Sequence, residues 1–133
     1  MPGEQDLSTL LKTMRPALNP GDYVFCILPS LHVIDLNEVL LLFKEAEGYT
    51  VIVSKELADD LKLEYSFVAA WITLSVHSAL DAVGLTAAFS HVLAARGISC
   101  NVVAAFYHDH IFVDKKDAEK AMEILRLLAQ QAA

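Results

Sequence analysis

The chain has 133 residues, enough for one ordinary domain or two very small ones, and its 55% hydrophobic against 20% charged composition supports a buried core and excludes disorder. A net charge of −7, with no run of Lys/Arg and no aromatic-basic stripe, argues against nucleic acid as a partner. The longest apolar stretch, Phe67 to Val76, is far short of the roughly 20 residues that span a bilayer. No signal peptide is expected from the acidic opening MPGEQDLS, and Cys26 and Cys100 sit in apolar runs where a free thiol behaves as a small hydrophobe. A cytoplasmic protein without a disulfide is the expectation.

Leu7, Leu10, Leu11 and Met14 recur at helical spacing, which predicts a short helix over Asp6 to Met14 stopped by Pro16. After the turn cluster Asn19 to Asp22, the β-rich run Tyr23 to Leu28 reads as a strand, and Pro29 to Asp35 as a loop. Glu38 to Lys44 and Tyr49 to Ser54 read as a hairpin turning at Gly48, although the leucines of the first run also suit a helix. Lys55 to Leu63 is a short helix, and Glu64 to Ser66 offers the natural boundary, dividing the chain into residues 1–63 and 64–133. The second half reads strand (Phe67 to Val76), helix (Thr86 to Arg96, closed by Gly97), strands (Ile98 to Phe106 and Asp109 to Val113) and a last helix from Asp114. Its order is βαββα.

Alternation gives the faces. Val68, Ala70, Ile72, Leu74 and Val76 form an apolar side for the helices, and Phe67, Ala69, Trp71, Thr73 and Ser75 a mixed one. Helices are therefore expected on one face of an antiparallel sheet, with Trp71 on the other. So apolar a chain with a one-sided helix layer is expected to self-associate, as a homodimer or larger homo-oligomer.

This order, with its strand-loop-Gly-helix start, resembles the ACT domain, the βαββαβ regulatory module of amino-acid metabolism. Phe67 to Phe89 is similar to the first strand, loop and helix of the variant found in tandem ACT proteins, and Ile98 to Val113 to its central hairpin. Phe43 to Val53 resembles the degenerate preceding half in the same small proteins and, more distantly, in cytosolic arginine sensors. The resemblance implies an α+β fold of two ACT-like, ferredoxin-like halves with antiparallel sheets and helices on one face. Two departures stand out. The first half lacks a helix between its first strands, and only Gln130 to Ala133 follow the last helix, so a fourth strand is missing from the second half, an edge that Met14 to Leu18 could supply.

The resemblance also implies a non-catalytic sensor of a small molecule, a free amino acid above all. The ligand would lie against Val83, Gly84 and Leu85, its carboxylate on amides at the helix start and its ammonium on Asp109. His77, Ser78, Asn101 and His108 complete the candidate set. Gly84, Ser78 and Asp109 also read simply as turn and cap residues. In an extended strand His108 and His110 stand roughly 7 Å apart with no third ligand close in sequence, so no metal is expected. There is no Gly-x-Ser-x-Gly elbow, dinucleotide or phosphate loop, or CxxC pair, so neither cofactor nor enzymatic mechanism is indicated. The competing reading is a structural or protein-binding homo-oligomer whose ligand site has decayed.

Overall fold

The computed structural model describes residues 6–76 and 82–132. The chain forms two compact units, Pro20–Ala69 and a second that joins Met1–Asn19 to Ala70–Ala133.

In the unit Pro20–Ala69, strand β2 (Tyr23–Leu28) pairs antiparallel with β4 (Gly48–Ser54), which pairs in turn with β3 (Leu41–Glu45). Gly48, at φ +150°, closes the β3–β4 hairpin, and a Cβ there would stand 2.9 Å from the carbonyl oxygen of Leu28. Ser54 Oγ accepts from the Leu57 amide at 3.1 Å and starts the short helix α2 (Lys55–Asp60). Between β2 and β3, where a ferredoxin-like unit carries a helix, there are two 3-10 turns, Leu31–Val33 and Leu36–Glu38, each begun by a Ser or Asp cap. Val24, Cys26, Leu28, Ile34, Val51, Val53 and Ala58 make its core.

The second unit opens with α1 (Leu7–Thr13), capped by Asp6, whose Oδ2 accepts from the Thr9 amide. Strand β1 (Arg15–Leu18) then pairs antiparallel with β5 (Val68–Ser75), Arg15 opposite Ser75 and Leu18 opposite Ile72. The N-terminal segment thus fills the edge that the βαββα half lacks. Beyond β5 lie β7 (Asp109–Asp114) and the edge strand β6 (Asn101–Ala104). Helices α3 (Leu85–Ala95) and α4 (Ala118–Gln131) join α1 over one face. Ala70, Ile72, Leu74 and Val76 enter the core beneath them with Phe89, Leu93, Ile111, Val113 and Leu125. Trp71, out of phase with that set, stacks on Phe112 instead.

Two expected boundaries are corrected. Strand β6 is far shorter than Ile98 to Phe106, because Gly97 and Ile98 end α3: their amides bond to the carbonyls of Ala94 and Leu93, a Schellman closure. Asp114 caps a 3-10 turn, its Oδ1 accepting from the Lys116 amide, and α4 proper begins only at Ala118.

Candidate functional site

The sequence points to the end of the second unit where β5 runs out towards α3. Trp71 stacks on Phe112 with ring centroids 6.5 Å apart, and Thr73 Oγ1 stands 3.2 Å from His110 Nδ1. Two steps forward on β5 are two steps back on β7, so these strands are antiparallel. The turn before β7, closed by the Ala105 amide on the His108 carbonyl at 3.0 Å, therefore lies at the C-terminal end of β5.

Asp109 opens β7 in phase with Ile111 and Val113, on the helix-covered side. It is 6% exposed, the buried charged side chain among the described residues. Burial raises its carboxyl above the ordinary carboxylate range, against a smaller opposing pull from His108. No lysine or arginine pairs with it among the described residues. It does not cap the hairpin, which backbone alone closes. His108 Nδ1, next to it in the chain, is buried without a hydrogen-bond partner among the described residues.

Gly84 sits at φ +101° as the N-cap of α3, which receives no side-chain cap. Its open side faces α1: a Cβ would lie 3.0 Å from Leu7 Cδ2. Gly84 is half-buried, and its close packing on Leu7 adds to its positive φ in favouring a glycine here. Val83 is 82% exposed, whereas Leu85 is 4% exposed and its side chain belongs to the core, leaving its amide as the group it can offer. Asn101 is not at this end. It pairs with Phe112, three positions along from the Ala104–Asp109 pair and so about 10 Å away, and its Nδ2 donates to the Phe112 carbonyl at 3.3 Å. His77 and Ser78 fall outside the described residues.

The opposite face carries a network that the sequence reading missed. Trp71 Nε1 donates to His110 Nδ1 at 3.0 Å, Thr73 Oγ1 meets the same nitrogen, and Asn19 Nδ2 donates to Thr73 Oγ1 at 2.9 Å. An indole N–H can only donate, so Nδ1 carries the lone pair and the proton rests on Nε2. Burial, helped by His108, lowers the His110 pKa. The imidazoles of His108 and His110 lie 6.5 Å apart, but Nδ1 of His110 is already committed, and no group of three His, Cys, Asp or Glu residues converges among the described residues. Burial also pushes the Cys100 thiol up to about 11 and raises Cys26, the reverse of what activates a thiol nucleophile.

The unit Pro20–Ala69 has its own opening, a cleft of about 760 Å³ lined by Phe25, Ile27, Thr50 and Leu63 to Ser66. Tyr65 is fixed at its rim, donating to Asp59 Oδ1 at 2.6 Å while Lys55 bridges the same carboxylate. None of the sequence-predicted site residues lies there.

Two ACT-domain family models match in tandem, over residues 2–70 and 66–126. The chain belongs to the ACT-domain family, whose members are regulatory, ligand-binding modules. A crystal structure of a protein of unknown function from Vibrio cholerae, described as a possible transport protein, is 46% identical, covering 92% of this chain and 95% of that one with a TM-score of 0.83. A protein from Agrobacterium tumefaciens shares 17% identity over 87% and 89% of the two chains, with a TM-score of 0.69. The regulatory subunit of aspartate kinase from Thermus thermophilus, in its ligand-free form, shares the fold at 9% identity, a TM-score of 0.61 and coverage of 85% and 95%. Among curated proteins none matches the sequence. No helix among the described residues is long and apolar enough to cross a membrane.

Proposed function

We propose that the chain is a sensor of a free amino acid, acting in the cytoplasm by binding and not by catalysis. The ligand's ammonium would sit on Asp109 and its carboxylate on the amides that open α3. The observation that carries this reading is the buried, cation-free carboxylate of Asp109. A buried charge is costly unless paired, and a ligand ammonium supplies the missing partner. Val83, Phe106 and Tyr107 are 82%, 72% and 66% exposed, the most exposed large apolar side chains described, and all lie at this end of the unit. Their exposure supports a homodimer in which a second copy covers the site.

Calorimetry against the twenty amino acids tests the proposal, with Asp109→Asn as the paired variant. One amino acid should bind, and the substitution should weaken it by roughly 1.5 to 3 kcal/mol, the worth of a hydrogen bond to a charged group. The same substitution should stabilise the free protein. With the folded pKa raised, the unfolded chain gives up its proton first, so stability is lost as pH climbs from the ordinary carboxyl pKa through the folded one. Asp109→Asn should remove that loss, its advantage in thermal melts shrinking as the pH falls towards about 4. Silence across the whole panel with a folded protein would leave the structural homo-oligomer as the better account.

A further inference from the structure

Ten lysines and arginines stand against seventeen acidic residues in this chain, yet Lys12, Arg15 and Arg126 line one groove of about 310 Å³ to which no carboxylate of the described residues contributes. They come from the end of α1, the first residue of β1 and the third turn of α4, so no basic run in the sequence announces them. None of the three is in an ion pair among the described residues.

Arg15 is held in place. Its Nη1 donates to the carbonyl oxygens of Lys12 and Met14, each at 3.0 Å, which satisfies carbonyls at the end of α1. That commits one nitrogen and leaves Nε–H and Nη2–H, the side-on fork that fits two oxygens of an oxyanion. The three cations are exposed at the rim, and Met14, fully buried, and Ala129, 8% exposed, lie beneath them beside Pro16 and Gln130.

We propose that this groove binds a small molecule carrying a phosphate group. Three converging cations suit a doubly charged group better than a single carboxylate. The volume lies at the lower end of the range of about 300–1,000 Å³ typical of small-molecule sites, which leaves room for a modest organic remainder beside the phosphate. A net charge of −7 repels extended polyanions, so the ligand is a small one. The groove shares no lining residue with the Asp109 site, and the proposal stands whether or not an amino acid binds there.

The test is NMR titration of the full chain at low ionic strength with inorganic phosphate and glycerol 2-phosphate, and with malate as a dicarboxylate comparison. Saturable shifts at the side-chain Nε–H signals of Arg15 and Arg126 are expected, with glycerol 2-phosphate binding more tightly than malate. Arg126→Gln should weaken binding about tenfold or more, while Lys120→Gln, an exposed cation on the same helix outside the groove, should change it less than about twofold. Arg126 carries the test because Arg15 also caps α1, and circular dichroism confirms that the variants fold. No saturation by about 10 mM, equal losses in the two variants, or malate binding as tightly as the phosphates would each overturn the proposal.

Discussion

The two units share a family and differ in what their helices bury. Among the described residues, those of α1, α3 and α4 and the sheet they cover give the second unit a cluster of eighteen buried residues, whereas the core cluster of Pro20–Ala69, with one short helix and two 3-10 turns, has seven. The helix that is missing between β2 and β3 is the counterpart of α3, and with it goes the uncapped helix start that suits a carboxylate. One unit therefore combines a large core with a polar strand end. The other is mainly a hairpin-built sheet with a smaller core.

The sharpest way to break this comparison is to empty each core. Phe89 and Leu28 are 0% and 1% exposed, one in each cluster. Phe89→Ala should cost about 3–5 kcal/mol, and Leu28→Ala should fall in the lower part of the range of about 2–5 kcal/mol, because a smaller core with irregular turns collapses more readily onto the gap. Urea denaturation of both variants checks this. A Leu28→Ala cost equal to that of Phe89→Ala would mean that the smaller cluster is packed as rigidly as the larger one.

Much of this was legible in the sequence where periodicity is strong. The helix-facing set Ala70, Ile72, Leu74 and Val76 and the Leu7–Leu10–Met14 stripe follow from periodicity and lie in or against the core, whereas Val68 packs in the other cluster. The edge strand Arg15–Leu18 was suggested by the resemblance to the ACT plan, which leaves the second half one strand short. The start of β6 and the start of α4 differ from the sequence reading, since Gly97–Ile98 closes a helix and Asp114 opens a 3-10 turn by hydrogen bonds that composition does not reveal. The site was half legible. Asp109 stood out as a polar residue beside an apolar strand, but its burial depends on helices distant in sequence. The Asn19–Thr73–His110 network needs a register between strands more than thirty residues apart, and the convergence of Lys12, Arg15 and Arg126 needs three elements.

Glycine substitutions sharpen the comparison at intermediate cost. Gly84→Ala meets Leu7 Cδ2 at 3.0 Å, the tip of a flexible side chain, and Gly48→Ala meets the Leu28 carbonyl oxygen at 2.9 Å, which is backbone. Both residues also have φ values that disfavour a side chain, so each change should cost about 1–3 kcal/mol, with Gly48→Ala the more costly. Adding Leu7→Ala should relieve the steric part at Gly84, a coupling readable in a double-mutant cycle. No coupling would show that backbone strain alone sets the cost there.

The smallest effect belongs to His110, and the single tryptophan reads it directly. The neutral ring accepts the Trp71 indole proton, and protonation of Nδ1 would put two donors face to face. Because burial lowers the folded pKa of His110, its contribution to stability is present above the ordinary histidine value and is lost as pH falls through that value towards the folded one. Besides burial, His108, before β7, acts on the ring and lowers its pKa further; Asp109, next in the chain, lies on the other face. Trp71 fluorescence should therefore change on acidification with a midpoint below about 6.5. His110→Asn keeps an acceptor without a proton to gain, and should hold the neutral-pH spectrum at a stability cost near 1 kcal/mol while abolishing the transition. If the transition survives in His110→Asn and disappears in His108→Gln, then His108 and not His110 governs this face of the sheet.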